Sequence, residues 1–221
     1  MYVFNNSVSE LSNWARKEVE FKRDVLSGMR GKEVKRVQEW LNLQGVGVVI
    51  DSAYGPATTR SVVRFQDESG LSETGEVDDA TFNALVKPMR DVLKQRLNAS
   101  ISTQSALLEY ARAHLAVHPV EVGGQNCGPW VRLYMKGNEG RTMPWCAGFV
   151  TFLLKQATQS LQIDMPIKGS GSCDSLATQA NEAGLFLPES EADSVGVVPG
   201  SIFLVRRTST DWTHTGRTRA L

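Results

Sequence analysis

Glycine and proline punctuate three short amphipathic segments between residues 28 and 88, and this pattern restricts the fold more than any other feature. Apolar residues recur at helical spacing as Val34, Val37 and Leu41 in the first segment, Val62, Val63 and Phe65 in the second, and Phe82 and Leu85 in the third. Pro56 suits the first turn of the second helix, and Asp78 suits the N-cap of the third. Because about 60 residues bury only a modest core, we predict a small three-helix bundle.

The composition excludes several classes of function. The 221 residues include 24 basic and 24 acidic side chains, so the formal net charge is zero. A balanced charge argues against electrostatic capture of nucleic acid or of anionic lipid. No apolar run approaches the roughly 20 residues of a membrane span, and the first seven residues lack the basic start and apolar core of a secretory signal. We therefore expect no nucleic-acid partner and no membrane insertion.

The first 27 residues are predicted to form an N-terminal helical extension. Trp14, Phe21 and Val25 recur at helix-like spacing among charges of both signs. This pattern predicts an amphipathic helix whose apolar side packs on its neighbour. A helix that lies on a membrane surface is the alternative, which the mixed charges and the few aromatic residues disfavour.

A linker is predicted after the bundle. Pro88 and residues 98–100 interrupt a weakly helical run, and turn-forming residues are frequent there. We predict that residues 89–103 cross to the next domain with few contacts. Residues 28–88 are then expected to fold and to bind their partner without the rest of the chain.

Several stretches of the predicted bundle share one known pattern. They are GKEVKRVQ at 31–38, DSAYG at 51–55, VVRFQ at 62–66, GL at 70–71, GEV at 75–77 and DATF at 79–82. On these stretches residues 28–88 resemble the peptidoglycan-binding domain that accompanies many bacterial and phage wall hydrolases. Ser52 stands where that family usually has glycine. The resemblance implies that this segment binds peptidoglycan.

His114 and His118 lie four residues apart on a helix predicted over residues 104–117, the spacing of two metal ligands on one helical face. A zinc site needs further ligands, and neither an HExxH motif nor a spaced cysteine cluster supplies them. We therefore predict that His114 packs or lies at the surface, and that His118 ends the helix before Pro119. No metal and no other cofactor is expected.

The cysteines offer a candidate nucleophile. The chain has three cysteines, Cys127, Cys146 and Cys173. So small and odd a number argues against a disulfide framework. The stretch PWCAGFV predicts a helix that begins near Cys146, with Ala147 and Gly148 allowing close packing. In the first turn of a helix, the backbone N–H groups and the positive end of the dipole favour thiolate over thiol.

A nucleophilic cysteine needs a base, which is expected from another element. Residues 201–205 predict a core strand, and His214 alternates with its neighbours as a residue of a second strand does. On such a strand His214 can face the helix start that carries Cys146. A cysteine at a helix start with a histidine on a later strand is the papain-type arrangement.

Four motifs carry a second resemblance. They are GGQNCGP at 123–129, PWCAGFV at 144–150, PGSI at 199–202 and THTG at 213–216. On these motifs the chain resembles the CHAP family, cysteine- and histidine-dependent amidohydrolases and peptidases related to the NlpC-like hydrolases. The resemblance implies that Cys146 is the nucleophile and His214 the general base. Cys127 and Cys173 are predicted to be non-catalytic, because neither neighbourhood pairs a helix start with a downstream histidine.

The predicted fold class is α+β, with the three-helix bundle followed by an incomplete papain-like domain over residues 104–221.

The segment after the histidine departs from the CHAP pattern. That family places further strands and a polar orienting residue after the histidine strand, whereas residues 216–221 show no strand pattern. Asp211 is a candidate substitute, but it is so near in sequence that it is expected to face elsewhere. A histidine without an orienting partner loses control of its tautomer and geometry. We therefore expect wall binding near that of intact relatives, with hydrolysis weakened by roughly 10²-fold or more.

The sequence thus predicts a monomeric peptidoglycan hydrolase that cleaves an amide bond, targeted by a wall-binding domain. A wall-binding protein with an inactive hydrolase domain is the first alternative, and a general cysteine protease is the second. The substrate lies outside the bacterial membrane, so we expect the protein to act at the cell wall. Release by host lysis, as for a phage endolysin, or a dedicated secretion route would bring it there.

Overall fold

The computed structural model describes residues 1–98, 100–208 and 211–217. Within these ranges the helices are α1 (Asn13–Val19), α2 (Lys32–Leu43), α3 (Pro56–Glu68), α4 (Asp79–Leu85), α5 (Lys87–Lys94), α6 (Thr103–Ala116), α7 (Pro129–Tyr134), α8 (Cys146–Leu161), α9 (Cys173–Glu182) and α10 (Glu189–Val195), and the strands are β1 (Ile202–Thr208) and β2 (Asp211–Arg217). A 3-10 turn at Val8–Glu10 precedes α1. The described part of the chain is therefore rich in helix with one two-stranded sheet, which agrees with the α+β prediction.

The predicted bundle corresponds to α2, α3 and α4. Pro56 is the first residue of α3, where its missing N–H leaves no helical hydrogen bond unmade. Asp78 caps α4 by accepting a hydrogen bond from the backbone N–H of Thr81 at 2.8 Å. The apolar residues that the sequence predicted for these faces are buried, except for the half-buried Val63, and Val34 and Leu85 are both at 0% exposure. The three helices, and the starts of the second and third, are confirmed.

Two buried glutamines hold the turns of the bundle. The side-chain oxygen of Gln38 accepts hydrogen bonds from the backbone N–H groups of Asp51 at 3.1 Å and Ser52 at 2.9 Å. In the next turn, the side-chain oxygen of Gln66 accepts from the backbone N–H of Gly75 at 2.9 Å. Both side chains are almost fully buried. Because a buried polar group is costly unless it is bonded, these amides fix the turn conformations.

The predicted linker is wrong in its first part. Helix α5 begins at Lys87, so Pro88 lies in the first turn of a helix and does not interrupt one. Met89, Val92 and Leu93 are buried in the main core. The segment therefore packs against the rest of the protein, while Ala99 lies outside the described residues.

The N-terminal helix is shorter than predicted. Helix α1 ends at Val19, and Val25 instead forms a β-bridge with Val77, with N···O distances of 2.9 and 3.0 Å. This pairing needs extended backbone, which ends the helical spacing before Val25. Ala15 and Val19 are buried, so the prediction that the apolar side packs on its neighbour is confirmed.

The second half of the chain packs helix α6 against helix α8. Leu107, Tyr110, Leu153 and Leu154 form the centre of this contact and are all buried. Helix α6 begins one residue before its predicted start, where the side chain of Ser102 accepts a hydrogen bond from the backbone N–H of Ser105 at 3.1 Å. This contact fixes the position of helix α8, whose first residue is Cys146.

One continuous core joins the two halves. It contains Phe4 from the N-terminal segment, Trp40 from α2, Met89 from α5, and Trp130 and Phe152 from the second half. The rings of Trp40 and Trp130 meet edge to face with their centroids 6.1 Å apart. Residues 28–88 are therefore not separated from the rest by a boundary with few contacts. Among the described helices, none combines the length and the apolar character needed to cross a membrane.

Strands β1 and β2 form an antiparallel hairpin at the surface. The prediction of a core strand over residues 201–205 is wrong in its burial, because β1 starts at Ile202 and its residues are exposed except for the half-buried Leu204. The expectation of no strand pattern over residues 216–221 also fails in part, since β2 includes Gly216 and Arg217. Residues 218–221 lie outside the described residues.

Candidate functional site

Cys146 is the first residue of helix α8, as the sequence predicts. The backbone carbonyl of Trp145 accepts a hydrogen bond from the N–H of Phe149 at 2.8 Å, which closes the first helical turn around the cysteine. The Cys146 side chain is half-buried. It thus lies at the positive end of a 16-residue helix, where unpaired backbone N–H groups can donate hydrogen bonds to a negative oxygen beside the sulfur.

The residue before the cysteine is fixed from two sides. The indole Nε1 of Trp145 donates to Glu121 Oε1 at 2.9 Å, and Glu121 Oε2 accepts from the backbone N–H of Asn126 at 2.9 Å. The Trp145 ring also stacks on Tyr134, with centroids 5.5 Å apart and planes 16° from parallel. The loop over residues 122–128 is therefore tied to the start of α8.

Gly148 lets α8 approach the end of α7. A Cβ atom at Gly148 would lie 2.9 Å from the backbone oxygen of Tyr134 and 2.4 Å from Met135 Sδ. Such distances are too short for real atoms, so only glycine fits here without displacing α7. The predicted close packing at Gly148 is confirmed, and it sets the position of Cys146 two residues earlier.

Cys173 faces Cys146 from the first position of helix α9. The two sulfurs lie 3.8 Å apart. Burial, and then the neighbouring Cys146 sulfur, raise the pKa of Cys173 to about 12. Helix α9 starts at Cys173 because Ser172 caps it by accepting a hydrogen bond from the backbone N–H of Ser175 at 3.4 Å. A serine followed by Asp174 in the first turn was the available signal.

His214 lies on strand β2, but on the face of the hairpin that points away from Cys146. It pairs with Val205, and its ring lies 6.3 Å from that of Phe203 on the same face. Leu204 occupies the opposite face and packs against the same buried cluster as Cys146, which contains Ala147 and Cys173. Among the described residues, no hydrogen bond joins Cys146 to His214, whose side chain is exposed.

A β-bulge explains this placement. Trp212 pairs with Arg206, the residue next to Val205, so Thr213 is an extra residue in β2. In a regular strand, Trp212 and His214 would share a face. The bulge puts Trp212 on the face that packs with Cys146 and leaves His214 on the other. Sequence alternation alone could not reveal the extra residue.

Asp211 does not orient His214. Its carboxylate accepts a hydrogen bond from Arg207 Nε at 2.7 Å, which forms an ion pair within the hairpin. The prediction that Asp211 faces elsewhere is confirmed. Among the described side chains, no carboxylate forms a hydrogen bond with the His214 ring, so Asp211 leaves it without an orienting carboxylate.

His114 is a buried packing residue, which is one of the two roles predicted for it. Its Nε2–H donates to Gln156 Oε1 at 2.8 Å, and its Nδ1 accepts from the hydroxyl of Tyr134 at 2.8 Å. This assignment follows because the amide nitrogen of Gln156 donates to the backbone oxygen of Val92 at 3.1 Å. Burial lowers the pKa of His114 to about 4, so the ring is neutral near pH 7.

His118 does not share a helical face with His114. Helix α6 ends at Ala116, and His118 has a φ of 49° outside it. Within the described ranges, no cluster of three or more histidine, cysteine or acidic side chains could hold a metal ion.

A shallow groove of about 370 Å³ opens on the bundle between the α2–α3 loop and helix α3. Its lining residues are Val46, Gly47, Val48, Val49, Ala57, Arg60, Ser61 and Arg64. Apolar side chains form one part of it and two guanidinium groups lie along another. Such a surface suits a ligand that offers both carboxylates and apolar groups.

Comparison with known proteins supports the assignment of the bundle. Residues 30–85 match the family model described as "Putative peptidoglycan binding domain". A search of curated proteins found no match. The matched residues cover α2 to α4 and include the groove with its arginines. The protein thus carries a segment similar to a peptidoglycan-binding domain, which supports association with the cell wall and peptidoglycan as its partner.

Proposed function

We propose that the protein is a peptidoglycan hydrolase in which residues 30–85 bind the wall and Cys146 cleaves an amide bond. The observation that carries this proposal is the position of Cys146 as the first residue of α8, half-buried and beside a fixed loop. The resemblance of residues 104–216 to the CHAP family supports the same role.

In the proposed reaction, the thiolate of Cys146 attacks the carbonyl carbon of a wall amide. Backbone N–H groups at the start of α8 are suited to stabilise the negative oxygen that forms. His214 holds the thiol proton and gives it to the departing amine, leaving a thioester on Cys146. Water then attacks the thioester, with His214 as the base, and the thiol is restored.

The hairpin must change register for His214 to take part. A one-residue slip of β2 against β1 pairs His214 with Leu204 and moves the imidazole onto the face that packs with Cys146. The bulge at Thr213 shows that the pairing is already irregular there. Hydrolysis is then limited by the fraction of molecules in the shifted register, which agrees with the weak activity expected from the sequence.

The groove on the bundle is the proposed wall-binding surface. Arg60 and Arg64 place positive charge beside apolar residues, and peptidoglycan stem peptides carry carboxylates. Reversing the charge with Arg60→Glu is expected to weaken wall binding roughly fivefold. Arg112→Glu makes the same charge change on the exposed side of α6 and serves as the matched control. Equal binding by both variants would contradict the groove assignment.

The hydrolase is tested by incubating purified walls with the wild-type protein, Cys146→Ala and Cys127→Ala. The wild type and Cys127→Ala are expected to release new amino groups, whereas Cys146→Ala releases none. All three proteins are expected to sediment with the walls. Mass spectrometry of the released muropeptides then identifies the amide. Release by Cys146→Ala at the wild-type rate would overturn the assignment of the nucleophile.

A wall-binding protein with an inactive hydrolase domain is the second candidate. The placement of His214 on the face opposite Cys146 favours it, because a cysteine without a base reacts slowly. The same assay separates the candidates. Sedimentation of the wild type with walls and no new amino groups would establish binding without hydrolysis.

A further inference from the structure

Two helices begin with cysteines that face each other. Cys146 starts α8 and Cys173 starts α9, and their sulfurs lie 3.8 Å apart although 27 residues separate them in sequence. A disulfide needs about 2 Å between the sulfurs. The approach still required is less than 2 Å, which side-chain rotation and small movements of the helix ends can supply.

The two cysteines of the pair differ in their exposure to solvent. Cys173 is 7% exposed and packs with the buried residues Ala147 and Leu176. Cys146 is half-buried and therefore open to small molecules in solution. Trp212 and Leu204 from the hairpin pack against the same cluster beside Cys146. A small reagent is thus expected to react first with Cys146, because Cys173 is more deeply buried.

We propose that Cys146 and Cys173 form a reversible disulfide that removes the Cys146 thiol from use. Its effect on hydrolysis rests on the function proposed above, whereas formation of the bond does not. The site is a redox modification site built into the starts of two packed helices.

The oxidant is a low-molecular-weight disulfide such as oxidised glutathione. The thiolate of Cys146 attacks one sulfur of that disulfide, the reagent's S–S bond breaks, and one small thiol leaves. Cys173 loses its proton to solvent and attacks Cys146 Sγ, which releases the second small thiol. Two protein thiols are thereby oxidised to one disulfide, and the small disulfide is reduced to two thiols. A dithiol reductant reverses both steps.

The raised pKa of Cys173 affects only the second step. Part of that rise comes from the neighbouring Cys146 sulfur. Once Cys146 is in a mixed disulfide it carries no charge, so this part disappears and Cys173 ionises more readily. The third cysteine, Cys127, instead donates from its Sγ to the backbone oxygen of Gln125 at 3.4 Å in a surface loop.

The test treats the full chain with oxidised glutathione and counts the remaining thiols. We expect the wild type to lose two of its three thiols and Cys127→Ser to lose both of its two, without glutathione bound to Cys146 or Cys173. Cys173→Ser is expected to keep glutathione on Cys146, since the second step is blocked. Trypsin cleaves after Lys155 and Lys168, so the pair lies on separate peptides that remain joined until reduction.

Bound glutathione on Cys146 of the wild type, with Cys173 still free, would overturn the proposal. The activity readout is separate: wall hydrolysis is expected to stop on oxidation and to return with dithiothreitol. If the reduced protein fails to hydrolyse walls while the joined peptides form, the proposed function fails and the disulfide stands. If hydrolysis continues in the fully oxidised protein, control of Cys146 by the disulfide is refuted.

Discussion

Arg132 donates two hydrogen bonds to the carboxylate of Glu18, from Nε to Oε1 and from Nη2 to Oε2, both at 2.9 Å. The same guanidinium donates to both oxygens of Glu39, at 3.1 and 2.7 Å, and to Glu139 Oε2 at 2.7 Å. Glu18 belongs to α1, Glu39 to the bundle and Arg132 to α7. One nearly buried cation therefore joins three parts of the chain that the sequence analysis treated as separate.

Replacing Arg132 is expected to destabilise the whole protein. Arg132→Met leaves the almost fully buried carboxylates of Glu18 and Glu39 facing each other without their main cation. Removing one partner of a buried ion pair costs about 3–5 kcal/mol. Urea unfolding measures the loss. The exposed pair of Arg64 and Glu68 supplies the control, since Arg64→Met is expected to cost less than about 1 kcal/mol. Similar losses in both variants would show that the buried cluster has no special role.

The isolated bundle is expected to be less stable than the bundle in the full chain. A fragment of residues 28–88 exposes Trp40, which is 1% exposed in the intact protein, and loses the contact with Trp130. It also leaves Glu39 without Arg132. This differs from the sequence-based expectation of independent folding. Circular dichroism melting of the fragment and of the full chain measures the difference, and equal melting temperatures would contradict the shared core.

Stability is expected to fall as the pH drops below about 6.5. The pKa of His114 is about 4 in the folded protein because of burial, against about 6.5 when unfolded, so the unfolded chain binds a proton first. Between pH 7 and pH 5 the loss is about 2 kcal/mol. Urea unfolding at both pH values measures it. His114→Gln is expected to lose most of this dependence and His118→Gln to keep it. A full dependence in His114→Gln would assign the effect to another group.

Adding one methyl group at Gly148 is expected to separate α7 from α8. The new Cβ overlaps the backbone oxygen of Tyr134, which cannot move without α7, so Gly148→Ala costs about 1–3 kcal/mol. Gly47→Ala is the control, because a Cβ there meets no atom within 4 Å. Thermal unfolding compares the two. A loss of thermal stability no larger for Gly148→Ala than for Gly47→Ala would show that α7 and α8 can accommodate the extra methyl group.

The helices of the bundle followed from local signals. Pro56 and Asp78 act through their own backbone chemistry, and buried valines at helical spacing mark the core face. The position of Cys146 at a helix start followed in the same way. These features depend on neighbours within a few residues, which is why the sequence was sufficient to predict them.

Features that depend on distant contacts were missed. Pro88 fits the start of a helix as well as a break, and the burial of Met89 in the main core decides between them. The bulge at Thr213 depends on the pairing between the two strands. It places His214 on the opposite face of the hairpin from Trp212. The approach of Cys173 to Cys146 depends on the packing of α9. In each case the deciding contact lies in the tertiary structure.

In the proposed reaction, Cys146 forms a covalent bond to its substrate. Soluble muropeptides are mixed with excess protein, the reaction is quenched in acid, and the intact mass is measured. We predict an adduct that maps to Cys146, that hydroxylamine removes as it does other thioesters, and that Cys146→Ala lacks. Release of amino groups without any adduct on Cys146, and at an undiminished rate in Cys146→Ala, would contradict the account.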